Sequence, residues 1–213
     1  MDPITYEAAL ARAWNDLRGR DPAELSELAG GHLGDEGIEI PFMGEMHIVD
    51  LGGESVTAGG DEVPSFISVL ILHYLAGCGG ERPTGRYLSF REIPGGEMYY
   101  SAFKGRAIDK LASSFGKNSS LLFQAGEPLG AGETMMGDVS IEVRPFPMLV
   151  LAVVVWEGDD EVPPSANILF DSTVVRMLPM EDLSVVGNLV ASRLVGNLGE
   201  IGDRGEPEVE GRG

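Results

Sequence analysis

Between two apolar runs, residues 157 to 161 carry Glu157, Asp159, Asp160 and Glu161, and Asp171 follows ten residues later. Carboxylates at that density are the hard oxygen donors that Mg2+ or Ca2+ takes, and a metal held there could activate water. Asp159, Glu161 and Asp171 are the set such a metal-dependent enzyme would use. The spacing is not that of an EF-hand loop. The competing account is a solvated strand-to-strand turn in which Pro163 and Pro164 protect an edge. Here Glu157 anchors the turn, and Asp159 and Asp160 stay in water. We favour this account because turns are polar for generic reasons. Asp171 differs: it ends an apolar strand and would need a buried partner such as Arg86, Arg91, Arg144 or Arg176.

The positive charge is unevenly placed. Residues 21–81 hold no Lys or Arg against twelve acids. Residues 82–117 hold Arg82, Arg86, Arg91, Lys104, Arg106, Lys110 and Lys117 against Glu92, Glu97 and Asp109, a local +4 in a chain of net charge -19. Arg106 and Lys110 are four apart and share one side of a helix. Arg86, Arg91, Lys104, Arg106 and Lys110 are therefore the candidate anion ligands, with Tyr99, Tyr100 and Trp156 as flat contact surfaces. The rival is that these bases neutralise the acidic first third across a packed interface.

The remaining reactive residues point to structure. His32, His47 and His73 show no spacing that sets two on one face. His73 lies in an apolar helix and reads as a hydrogen-bonded core residue, with a tetrapyrrole axial ligand as the other reading. Cys78 follows that helix, where the dipole raises a thiol pKa, the wrong direction for a nucleophile. The glycine-rich pieces contain no phosphate-loop or dinucleotide fingerprint, and no G-x-S-x-G elbow is present.

The elements that must position these groups follow from periodicity. Two helices open the chain, the second marked by Asp21 before Pro22 and stopped at Gly30-Gly31. GIEIPFMGEMHIVDLGGESV reads as two or three short strands. PSFISVLILHYLAG is apolar nearly all round, a nearly fully buried helix. GRYLSFREI is a strand, and SAFKGRAIDKLASSFG spaces Phe103, Ala107, Leu111 and Phe115 on one helix face. Strands at 138–144, 147–156 and 166–175 precede a closing helix from Pro179 to Leu198. Short turns between strands and flanking helices predict a single α+β domain over residues 1–198 with a mainly antiparallel sheet, and a mobile acidic tail at 199–213.

Trp156-Glu157-Gly158-Asp159-Asp160-Glu161, Pro163-Pro164, Leu169-Phe170-Asp171 and Leu178-Pro179 with Glu181-Asp182, together with LILHYLAG and GRYLSFREIPGGEMYYSAF, resemble the domain-of-unknown-function 3786 family over about residues 35 to 195. That resemblance implies an anaerobic bacterial or archaeal setting, some members standing beside iron–sulfur or corrinoid proteins. It carries no activity and no catalytic residue. Glu181 and Asp182 are accounted for by the dipole of the closing helix.

Charge and composition exclude several classes. A net charge of -19 repels phosphate backbones and anionic membrane surfaces, so neither nucleic acid nor membrane is an expected partner. The longest apolar run, Phe146 to Trp156, is far short of the roughly 20 residues of a membrane helix. One cysteine, with no leader-like segment, points to the cytoplasm and cannot ligate a cubane cluster. The expected role is non-catalytic binding of a small anionic ligand or cofactor, accessory to a redox or corrinoid protein partner. A metal-dependent enzyme and a structural homo-oligomer are the alternatives.

Overall fold

The computed structural model describes residues 3–204. Helix α1 (Pro3–Leu17) and helix α2 (Pro22–Ala29) lead in. Asp21 caps α2 by accepting from the Ala23 N–H, and Gly30 ends it at φ 71, where a side chain would be strained. Five short strands follow: β1 (His32–Leu33), β2 (Ile38–Phe42), β3 (Glu45–Asp50), β4 (Ser55–Ala58) and β5 (Asp61–Glu62). They form an antiparallel meander of their own. The two or three strands expected here are thus the centre of a separate sheet. In β2 the alternation buries Ile38, Ile40 and Phe42 on one face.

Helix α3 (Ser65–Gly77) follows, and seven of its residues, from Ser68 to Leu75, are buried, as an apolar surface all round requires. The second sheet has the order β6-β10-β9-β8-β7, from β6 (Tyr87–Ser89), β7 (Gly132–Thr134), β8 (Val139–Phe146), β9 (Leu149–Trp156) and β10 (Ser165–Asp171). All its pairings are antiparallel. Strand β9 is buried from Leu149 to Val155, which is why its sequence is a continuous apolar run.

Between β6 and β7 lie α4 (Gly96–Phe103), a π-helical turn (Lys104–Ile108), α5 (Asp109–Phe115) and α6 (Leu121–Gly126). After β10 a 3-10 turn (Ser172–Arg176) leads to α7 (Met180–Arg204). The closing helix therefore runs through the first residues of the expected tail, and residues 205–213 lie outside those described. Among the described residues no helix is long and apolar enough to cross a membrane.

One core joins both sheets. Tyr74 of α3 stacks on Phe146 of β8 with ring centroids 4.2 Å apart, and Phe146 stacks on Phe42 of β2 at 4.5 Å. The Tyr74 hydroxyl donates to the Ala29 carbonyl at 2.8 Å and accepts from the Met148 N–H at 3.0 Å. These contacts fix α3 between α2 and the second sheet, and so fix where His73, one residue earlier, emerges.

Candidate functional site

The C-terminal end of α3 is the floor of an open cleft. His73, Ala76 and Gly77 lie within four residues of one another and share one helix face. Arg20, just past the end of α1, sends Nη1 to the Ala76 carbonyl at 2.8 Å, satisfying an end-of-helix acceptor with a cation. The opposite wall is Val175, Arg176, Met177, Leu178 and Pro179, the segment leading into α7. With Asp16 these residues border an open depression of about 520 Å3.

His73 Nδ1 lies 2.5 Å from Asp182 Oδ2. That hydrogen bond lifts the imidazole above its ordinary pKa; burial opposes it, and the charges of Asp182 and Asp16 add to it. Asp182 sits in the first turn of α7 and is nearly buried, so the dipole is not its whole account. It is the partner His73 required. Neighbouring Glu181 accepts from the Tyr99 hydroxyl at 2.6 Å.

Asp171 holds the cleft wall from behind. It is fully buried, and its partners are backbone amides and threonines rather than any of the arginines considered from sequence. It accepts from Thr84 N at 2.8 Å, Gly85 N at 2.7 Å, Thr173 N at 3.0 Å and Thr173 Oγ1 at 2.7 Å. The loop before β6 and the 3-10 turn carrying Arg176 are thereby tied to one carboxylate. Arg176 reaches Glu81 at 3.4 Å on its outer side.

The acidic turn has its own occupation. Glu157 Oε1 accepts from Ser119 N at 2.9 Å and Ser119 Oγ at 2.7 Å, donors that hold the carboxyl below the usual range. It anchors the turn. Asp159 is exposed, yet its Oδ1 accepts from the Val162 and Glu161 amides, which likewise lower its pKa. No group of three or more His, Cys, Asp or Glu among the described residues is placed to hold a metal ion. We expect calorimetric titration with Mg2+, Ca2+ and Mn2+ to show no micromolar binding; micromolar Mg2+ binding lost in Asp159→Asn would contradict this account.

The eight anion-ligand candidates are not gathered into one concavity. Arg91 is spent on Glu97, both bonds at 2.8 Å, with its guanidinium 4.3 Å over the Tyr100 ring. Lys104 pairs with Asp109 across the π-helical turn. Lys110 donates to Ser192 of α7 at 3.3 Å. Arg86 and Arg106 are exposed. Trp156 pairs with Ser165, at the far end of β10 from Tyr87, so it stands apart from Arg86 and Arg91. None of the eight lines the cleft around His73 or the more apolar cleft of about 440 Å3 beneath the second half of α7.

Cys78 is buried, donates to the Leu28 carbonyl at 3.1 Å, and has its thiol pushed up by burial. His47 is buried with Nδ1 3.0 Å from the Glu45 carbonyl, and His32 is exposed. His47 lines the more apolar cleft with Arg193, and His73 lines the other with Arg20 and Arg176.

A family model described as a domain of unknown function (DUF3786) matches residues 21–193. The matched stretch includes His73, Arg176 and Asp182, and begins just after Asp16 and Arg20. No curated protein and no solved structure matches the chain.

Proposed function

The chain belongs to the family described as a domain of unknown function, DUF3786, and we propose that it binds a small anionic ligand in the cleft formed by Arg20, His73 and Arg176, without catalysis. The observation that carries this is the imidazole held by Asp182 on the wall of a cleft whose other cationic groups are two guanidiniums. Asp16 is the one acid in the lining, while Asp182 pairs with His73 and Glu81 with Arg176 from just outside it. In a chain of net charge -19, a cleft whose lining leans positive is where an anion gains most from leaving water. Guanidiniums suit carboxylate or phosphate oxygens geometrically. No serine, threonine or cysteine lines the cleft, so it holds no hydroxyl or thiol nucleophile.

The wider setting rests on the family resemblance: an accessory to a redox or corrinoid protein in an anaerobic prokaryote. A single reduced thiol suits the cytoplasm.

Sulfate tests the site. At a hundredfold its dissociation constant a ligand stabilises by about 2.7 kcal/mol, which raises the melting temperature of a domain this size by roughly 5–11 °C. We expect that rise with sulfate and not with chloride at equal ionic strength, and its loss in Arg176→Glu. Arg106→Glu, on the π-helical turn, should leave it intact. The reverse pattern would move the site to the face of Arg86, Arg91 and Lys104.

A further inference from the structure

The cleft atom whose chemistry can change is His73 Nε2. Asp182 occupies Nδ1 at 2.5 Å, and a carboxylate there keeps a proton on Nδ1 in both charge states of the ring. No described group bonds Nε2. The only buried side-chain nitrogen or oxygen without a partner among the described residues is Asn188 Oδ1, so Nε2 is not sealed in the interior, and His73 lines the cleft. The charged groups around the ring are Asp16 and Arg20 beside α1, Arg176 from the 3-10 turn and Asp182 from α7.

We propose that His73 makes this a proton-coupled oxyanion site, in which binding of one sulfate-like, phosphate or carboxylate group takes up a proton at Nε2 while Asp182 positions the ring. This rests on the anion-binding reading above. When the ring is protonated, Nε2–H donates to an anion oxygen and adds a positive charge beside Arg20 and Arg176. As pH rises, the proton that leaves comes from Nε2, because Asp182 retains the one on Nδ1. Nε2 then turns a lone pair toward the anion, and a donor becomes an acceptor. Asp182 thus sets which nitrogen titrates and, by lifting the ring above its ordinary pKa, carries the binding-competent form toward neutral pH. By linkage, affinity falls by up to about tenfold per pH unit between the pKa of the free and of the occupied site.

Inorganic sulfate is the probe, because its own charge does not change between about pH 6 and about pH 9, so any pH dependence belongs to the protein. We expect calorimetry to show affinity falling by roughly 10- to 100-fold over this range, the size of one charged hydrogen bond. Titrations in buffers of different ionisation heat should count about half a proton taken up per sulfate at the free-protein His73 midpoint and more just above it, the midpoint being the one ring NMR identifies by the signal missing in His73→Gln. His73→Gln should bind with an affinity independent of pH, and Asp182→Asn should move the fall to lower pH. Constant wild-type affinity across the range overturns the coupling and leaves the anion site standing. Absence of sulfate binding at every pH overturns both, and neither result depends on a variant folding.

Discussion

Asp171→Ala is expected to cost about 3–5 kcal/mol, the range for emptying one side of a buried, hydrogen-bonded charge site. The carboxylate is fully buried and accepts from Thr84, Gly85 and Thr173. Alanine leaves those amides without an acceptor, and each orphaned buried donor costs about 1–3 kcal/mol. Against a usual total of about 5–15 kcal/mol, that is a third or more of the stability. The check is urea denaturation near neutral pH, where the midpoint should fall with little change in slope; a loss below about 1 kcal/mol would refute the account. Acid gives a second reading. Burial alone would raise the Asp171 pKa, but the amide and hydroxyl of Thr173 and the amides of Gly85 and Thr84 outweigh it, and the folded-state pKa is lowered. A lowered carboxyl contributes stability above the unfolded value of about 3.9 and loses it as pH falls through the folded value. Asp171→Asn should therefore show a flatter acid limb than the parent from about pH 4 downward.

That carboxylate also marks how far the sequence could be read. Its strand, the valine-rich neighbour β9 and the apolar helix α3 were legible because burial on two faces writes itself as an unbroken apolar run. Asp171 was recognised as needing a partner, but backbone amides carry no sequence signature, so arginines were the visible candidates. The first sheet was under-read for a similar reason: β1 and β5 are two residues each, too short to show alternation.

The helix after β6 shows periodicity half-read. Phe103, Ala107, Leu111 and Phe115 span twelve residues, about 3.3 turns of α-helix, which would rotate the last off the face of the first. The π-helical turn absorbs the excess, so that all four are buried, with Phe103 stacked on Phe90 at 3.9 Å. The same stretch shows why the cations counted there do not gather into one cleft. Glu97 and Asp109 lie within it and take Arg91 and Lys104 locally, so the +4 excess is spread over single exposed side chains. His73, which lines the cleft, and its partner Asp182 are 109 residues apart. No local pattern joins them. The available signal was the demand of a half-buried histidine for a partner, and a first-turn acid with an adequate local explanation did not look like the answer.

Gly77→Val is expected to remove both stability and the cleft. A Cβ at Gly77 would stand 2.2 Å from the Met177 carbonyl oxygen and 3.0 Å from its carbon. Those are backbone atoms, and they cannot rotate away as a side-chain tip could. The end of α3 and the 175–179 segment approach this closely because nothing but hydrogen separates them, and their approach is what sets Arg176 across from Arg20 and His73. Any β-carbon must push the segment outward, and a branched one must push it further. Overpacking of this kind costs about 1–3 kcal/mol, and a clash with fixed backbone belongs at the upper end, about 3 kcal/mol. Displacement of the wall separates Arg176 from the imidazole, so the stabilisation by sulfate should vanish together with the stability. Gly196→Ala is the control, since a Cβ there meets nothing within 4 Å and α7 gains from losing a glycine. It should be neutral or stabilising by up to about 1 kcal/mol, with the sulfate response unchanged. Thermal melts of both variants with and without sulfate decide the matter: a Gly77→Val protein that melts like the parent and still responds to sulfate would show that the wall does not depend on this approach.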